Sequence, residues 1–327
     1  MTDTRTAALK FTVAVLLITA SVWPTANADQ PATPPRIGVL DPSGSTAWAE
    51  GFRDGLSQAG YGVGRDIMVE WRRTAETEGE LQSAASDLVR SRIGLMVTTG
   101  SFATRVALQN TSLPVVFLGG DPVAAGFASS LAKPGGRATG VSGVTLALTA
   151  KQLDLLHQLA PKARRVGFLT SLSNPLASRQ LTDLQAAART LGVRLEVFDA
   201  ANTRELDVAL RALEQNPPEV LLVSANVSYL SHTHAIVQAA RNRRIPAVYG
   251  YREFVADGGL MSYGIDMKGI GRVMAGYVDK ILKGTSPAEL PIEQVSTYEL
   301  IINLRAAHEL GIRVPQEILF RADEVMR

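Results

Sequence analysis

From Arg36 onward the chain alternates short apolar runs with longer stretches that repeat at helical spacing. Ile37-Gly38-Val39-Leu40 is such a run, ended by the turn Asp41-Pro42-Ser43-Gly44-Ser45. Trp48, Phe52, Leu56 and Ala59 then recur on one helical face up to Gly60. The alternation predicts further strands over 67–71, 93–97 and 115–118, with helices over 78–91 and 102–109. Short buried runs separated by amphipathic helices specify βαβ units on a parallel sheet.

The pattern restarts after Lys133-Pro134-Gly135-Gly136. Strands are predicted over 139–144, 165–170, 194–198, 220–223 and 247–249, and helices over 150–159, 175–191, 203–215 and 231–241. Two α/β units therefore stand in tandem. The tail differs: Gly258-Gly259 opens a turn and a short strand, 269–282 is helical, 291–300 extended and 301–310 helical. These pieces are too few for a third domain and read as additions to the two units.

The N-terminus lies outside this alternation. Arg5 and Lys10 precede an apolar run over 11–22, and Ala26-Asn27-Ala28 has the small-x-small form of a signal-peptidase site. This layout predicts a secretory signal peptide over 1–28, cleaved after Ala28. The run is short of the ~20 residues that span a bilayer, so no stable membrane insertion is expected after cleavage. Residues 29–36, with three prolines, form a disordered lead-in.

Composition narrows the chemistry. The 327 residues contain no Cys, which excludes disulfides, thiolate metal sites, a thiol nucleophile and a lipid-carrying cysteine after the leader. With 33 basic and 31 acidic residues, the charge is too balanced to call for nucleic acid. Gly140-Val141-Ser142-Gly143 is one residue short of a nucleophile elbow, and Gly60-Tyr61-Gly62-Val63-Gly64 has the wrong spacing for a dinucleotide loop. His232 and His234 point to different faces of a helix start. No catalytic residue, metal site or cofactor is therefore expected, and the chain does not read as an enzyme.

What remains is the set of loops after the strands, where open parallel sheets bind ligands. They supply Ser43, Ser45, Thr99, Gly100, Ser101, Asp121, Asn174, Ser224 and Asn226, with Trp48, Phe102, Tyr249 and Tyr251 as possible aromatic walls. Small hydroxyls beside helix N-terminal amides suit a carboxylate or another compact polar group. The same residue types cap helices and form turns everywhere, and that reading stands beside the first.

Several spaced motifs carry a family resemblance. They are Gly119-Gly120-Asp121-Pro122-Val123, Leu131-Ala132-Lys133-Pro134-Gly135-Gly136, Arg243-Arg244-Ile245-Pro246-Ala247-Val248-Tyr249 and Ile302-Asn303-Leu304-Arg305-Ala306-Ala307. With these the chain resembles ABC-transporter substrate-binding proteins of the tryptophan-binding-protein-like group, which have the type I periplasmic binding protein fold. The resemblance implies an α/β chain of two Rossmann-like lobes with parallel sheets joined by crossover strands. One lobe would take 37–146 plus about 262–292, the other 147–258 plus about 296–327. Hinges are expected near 144–149, 257–262 and 291–297. By the same likeness, the loops of Thr98–Ser101 and Asp121 form one wall of a ligand site, and Asn174, Ser224 and the Tyr249–Tyr251 loop form the other. The implied role is a periplasmic receptor that passes an amino acid or related carboxylate to an ABC permease with a separate ATPase subunit. An extracytoplasmic ligand sensor feeding a separate signalling partner is the alternative.

Overall fold

The computed structural model describes residues 33–74, 77–143, 146–173 and 177–327. The expected signal peptide, residues 29–32 of the lead-in and Asn174 lie outside the described residues. The body treated below is Pro34–Arg327.

The first run of elements is β1 (Arg36–Asp41), α1 (Thr46–Gln58), β2 (Met68–Arg73), α2 (Glu78–Arg90), β3 (Leu95–Thr99), α3 (Ser101–Asn110), β4 (Val115–Gly119) and β5 (Ala138–Ser142). The second is α4 (Leu146–Leu159), β6 (Arg165–Thr170), α5 (Ala177–Leu191), β7 (Arg194–Asp199), α6 (Thr203–Gln215), β8 (Val220–Val223), α7 (Thr233–Asn242), β9 (Ala247–Tyr249), α8 (Arg252–Ala256) and β10 (Met261–Ile265). A 3-10 turn over Val227–His232 leads into α7. The tail adds α9 (Met267–Leu282), β11 (Glu293–Gln294), β12 (Tyr298–Asn303), α10 (Leu304–Glu309), α11 (Gln316–Phe320) and β13 (Glu324–Met326).

Two sheets result. The six-stranded sheet runs β11-β5-β4-β3-β1-β2 and is parallel throughout. The seven-stranded sheet runs β13-β12-β10-β9-β8-β6-β7, parallel except where β10 meets β12. Each sheet thus carries the doubly wound order 2-1-3-4-5, with a topological switch between its first and third strands. The continuous apolar character of β4 and β8, buried at every position, follows from helices covering both faces.

The tail is where sequence and structure part. Residues 262–265 were expected in the first lobe, but β10 pairs with β9 and β12 in the second sheet. The chain passes between sheets at Asp266, not within 257–262; the other passages fall after Ser142 and between Gln294 and Tyr298. The helix expected over 301–310 is shortened as well. Leu300, Ile301 and Ile302 are buried in β12, and the Asn303 side chain caps α10 by accepting from Ala306 N at 3.0 Å. Three adjacent apolar residues fit either periodicity, and pairing with β10 decides for a strand.

In the first lobe, α1 lies directly on α9. A Cβ at Gly51 would stand 1.9 Å from Lys268 O, and one at Gly271 would stand 2.4 Å from Trp48 O, so only glycines allow this approach. Trp48 is fully buried there, stacked on Phe52 at 5.2 Å, with its indole N–H directed at Met274 Sδ at 3.2 Å.

Candidate functional site

A cavity of about 350 Å³ opens at the carboxyl ends of both sheets, with residues of both lobes on its walls. On the first lobe's side it is built around the start of α3. Gly100, the N-cap, has φ +97°, a region open to glycine and strained for other residues. Its N–H donates to Leu118 O at 2.7 Å, tying the loop after β3 to the end of β4. Ser101 Oγ accepts from Gly120 N at 2.7 Å, so its own O–H remains to donate. The first amides of a helix lack intrahelical acceptors; the Gly100 amide is taken by Leu118 O, and Ser101 and Phe102, which follow it, line the cavity wall. Arg105, one turn further along α3, also lines the cavity and is exposed.

The second lobe supplies the loops after β6, β7, β8 and β9. Ser171 and Ser173 share a hydroxyl–hydroxyl bond of 2.8 Å. Asn226 caps the 3-10 turn, its Oδ1 accepting from Ser228 N at 3.2 Å and from Ser228 Oγ at 2.8 Å. The buried Tyr251 donates its O–H to Ala225 O at 3.0 Å. Gln180 reaches the cavity from α5, and Gly143 and Ile265 stand at two of the three passages between lobes.

A second chamber, about 680 Å³, shares Ala201 and Ser228 with the first. It is lined by Asp41, Arg73, Tyr229 and His232, among others. Asp41 Oδ1 accepts from Ser43 N at 3.1 Å, Ser43 Oγ at 2.5 Å and Thr99 Oγ1 at 2.6 Å. Its Oδ2 is buried without a hydrogen-bond partner, and Arg73 Nε lies 3.8 Å away.

Where the chain passes between lobes there is a group of carboxylates. Ser45 Oγ, at the cap of α1, donates to Glu253 Oε1 on α8 at 2.8 Å and so links the two lobes. Burial pushes the Glu253 carboxyl above its ordinary range, against the lowering effect of the Ser45 bond. Glu299 Oε2 accepts from Arg252 Nη1 at 3.1 Å, while its Oε1 is buried and unpartnered. Burial raises Glu299 to about 7; Arg252 opposes this, and Asp266, Glu253 and Asp323 reinforce it.

The structure sorts the residues singled out from the sequence. Gly100, Ser101, Phe102, Asn226 and Tyr251 line the first cavity. Thr99 and Ser224 are buried beside it, Thr99 bonded to Asp41 and Ser224 Oγ without a partner. The others do other work. Ser43 bonds Asp41, Ser45 caps α1, and Trp48 is core, because the face of α1 that carries it is covered by α9. Asp121 Oδ1 caps its own turn, accepting from Val123 N and Ala124 N at 3.0 Å each. Tyr249 stacks on Phe254 at 4.8 Å and lines a separate cavity with Arg241 and Glu309. The strand ends at Tyr249, so Tyr251 enters the cleft as the cap of α8 while Tyr249 stays in the sheet's packing.

Arg105, Gln180 and Ser228 were missed. Ser228 follows a strand-end loop and was within reach of that argument. Arg105 and Gln180 are helix residues brought to the cleft by tertiary packing, with no local signal. Among the described residues, no group of three His, Cys, Asp or Glu is placed to hold a metal ion, and no helix is long and apolar enough to cross a membrane.

Comparison with known proteins places this geometry. The family model "ABC transporter substrate binding protein" matches residues 38–326. The chain is 26% identical over 256 residues to a tyrosine-binding protein of Clostridioides difficile, covering 78% of this chain and 73% of that one. A crystal structure of an ABC domain from Streptococcus pneumoniae in complex with L-Trp matches with TM-score 0.81 at 26% identity, over 90% of this chain and 100% of that chain. A conserved domain protein of Vibrio cholerae shares the fold with TM-score 0.82 at 23% identity, over 90% and 100% of the two chains. The two sheets with their interspersed helices are those of a type I periplasmic binding protein.

Proposed function

This chain belongs to the ABC transporter substrate-binding protein family, and from that membership we propose that it is an extracytoplasmic receptor for a small carboxylate of amino-acid size. The observation that carries the reading is the cavity between the lobes, walled by the N-terminus of α3 on one side and the Asn226–Tyr251 loops on the other. The α3 amides, the Ser101 hydroxyl and the Arg105 guanidinium are donors gathered on one wall, and a carboxylate is the compact group that accepts from all of them. Phe102 and Tyr251 offer ring surface for an apolar remainder. The relatives named for tyrosine and crystallised with L-Trp support a ligand of this size.

In this reading, ligand bound to one lobe supplies contacts the other lobe lacks when apart, so binding shifts the population toward the closed form. The closed form then presents both lobes together to a membrane permease whose ATPase is a separate subunit. The apolar run over 11–22 followed by Ala26-Asn27-Ala28 supports export with cleavage after Ala28, and residence in the periplasm. The chain carries ligand and does not transform it.

Native mass spectrometry of protein purified from its host, paired with thermal-shift screening of amino acids and organic carboxylates, tests this. A retained small carboxylate, or a saturable shift with one, is the expected result. A saturable shift with sugars alone would refute it.

A further inference from the structure

Among the acids where the chain passes between lobes is one that both lobes hold. Glu253 stands on α8 of the second lobe, and its Oε1 accepts from Ser45 Oγ at the cap of α1, in the first lobe, at 2.8 Å. Its Oε2 is buried without a hydrogen-bond partner. The neighbouring cation is engaged elsewhere: Arg252 gives Nη1 to Glu299 at 3.1 Å and Nη2 to Glu324 at 2.7 Å. Further acids stand nearby. Asp266, at the passage itself, caps α9 by accepting from Gly269 N at 2.9 Å, and Asp323 Oδ2 accepts from Leu300 N at 2.8 Å. Helix α8 is packed on α7, β9, β10 and β12. Of these, β12 brings Tyr298 and Glu299, and α7 brings His234 and Arg241, the latter held by Glu309 at 2.8 Å. Strands β9 and β10 bring Tyr249 and Tyr263 and no charged residue. On the first lobe, the opening turns of α1 and α9 carry Glu50 and Lys268, paired at 3.5 Å.

We propose that closure of the two lobes is coupled to uptake of a proton at Glu253, so that acid favours the closed receptor and alkali the open one. A charge on a buried, half-partnered carboxyl is costly, and the lobes in contact impose that cost. Burial raises the Glu253 carboxyl; the Ser45 bond, its own backbone amide and Arg252 oppose this, and Asp266 reinforces it. Protonation keeps the tie between lobes, because a neutral carboxyl still accepts a hydrogen bond at one oxygen. Parting the lobes carries α1 away from α8, takes Ser45 off Oε1 and lets water reach the carboxylate. The closed form then binds the proton more tightly than the open form, and by linkage the ratio of closed to open rises as pH falls. The inference rests on the two-lobe closure of the receptor reading and is independent of which ligand is carried.

Single-molecule energy transfer on the ligand-free mature chain tests it. The sequence has no Cys, so Ser83→Cys on α2 and Arg211→Cys on α6 accept a dye pair. Both positions are exposed, on helices that follow the sheet-edge strands β2 and β7, away from the passages. The ratio of closed to open molecules is expected to fall by roughly threefold or more from about pH 5.5 to about pH 8. In Glu253→Gln, which keeps an acceptor for Ser45 and cannot ionise, that ratio is expected to stay constant. A ratio independent of pH in the parent overturns the inference, as does a change that persists in Glu253→Gln; both leave two-lobe closure standing. One fixed distance at every pH means that the lobes do not part, and overturns the closure on which the inference stands. Ser45→Gly supplies a second variant, removing the donor to Glu253 at little cost to the cap of α1. It is expected to move the midpoint of the pH change upward, and an unmoved or lowered midpoint overturns the inference.

Discussion

Replacing Glu299 by Gln should flatten the pH dependence of stability between about pH 5 and pH 8. Glu299 sits on β12 with Oε1 buried and unpartnered, and Arg252, which holds Oε2, divides itself with Glu324 at 2.7 Å. Burial raises its carboxyl to about 7, so the folded state holds a proton that the unfolded chain releases near the ordinary value of about 4.3. Between those values the folded state binds more protons, and stability falls as pH rises. At about 1.4 kcal/mol per tenfold change in proton affinity, the cost at pH 8 is about 3.5 kcal/mol, of which about 1 kcal/mol is already present at pH 5. It is absent below the unfolded value, where both states are protonated. Glu253, raised by burial, acts in the same direction. Asp66 is lowered chiefly by its bond to Arg65, Glu196 by its bond to Arg165, and Glu219 by the backbone amides of Arg164 and Arg165. These carboxylates withdraw stability only as pH falls through their depressed values. Urea unfolding at pH 5, 6, 7 and 8, followed by tryptophan fluorescence, gives both curves. The wild type should lose about 2.5 kcal/mol more than Glu299→Gln from pH 5 to pH 8. Parallel curves, or a variant less stable than wild type at pH 8, would refute the reasoning.

Three further expectations follow from the packing and the site. Trp48→Ala should cost ~3–5 kcal/mol in urea unfolding while ligand affinity in the surviving folded protein stays within about twofold, since Trp48 is core. A large affinity loss without a stability loss would return Trp48 to the ligand site. Gly51→Ala should cost about 3 kcal/mol, because the new methyl meets Lys268 O where backbone cannot yield; a neutral result in calorimetry would contradict the α1–α9 approach. Gly100→Ala forces a side chain into φ +97° at the cap of α3, at about 1–3 kcal/mol, and displaces the amides facing the cavity. Titration should show at least a tenfold weaker ligand, and unchanged affinity would detach α3 from binding.

The sheet elements were legible because β4 and β8 are unbroken apolar runs, β3 opens on one, and the helices between them carry clear helical spacing. The tail was harder. Whether Ile301 and Ile302 are strand or helix, and to which sheet 262–265 belongs, depends on partners far away in sequence. The site divided along the same line. Gly100, Ser101, Asn226 and Tyr251 follow strand ends, so topology alone brings them to the crevice. Trp48 and Tyr249 have the residue types of a ligand wall, but α9 and Phe254 claim them for packing. Arg105 shows no periodicity or motif; its role depends on α3 facing the other lobe.

The glycine contact between α1 and α9 also has a place in time. Synthesis delivers α1 about 220 residues before α9, an interval on the order of ten to forty seconds at ribosomal rates. Through that interval the Trp48–Phe52 face of α1 has no helix to cover it, and the first sheet still lacks β11. The first lobe can be completed only when nearly all of the chain exists, so no N-terminal fragment ending before Leu282 carries the whole of it. The half of the molecule that is written first is among the last to be finished.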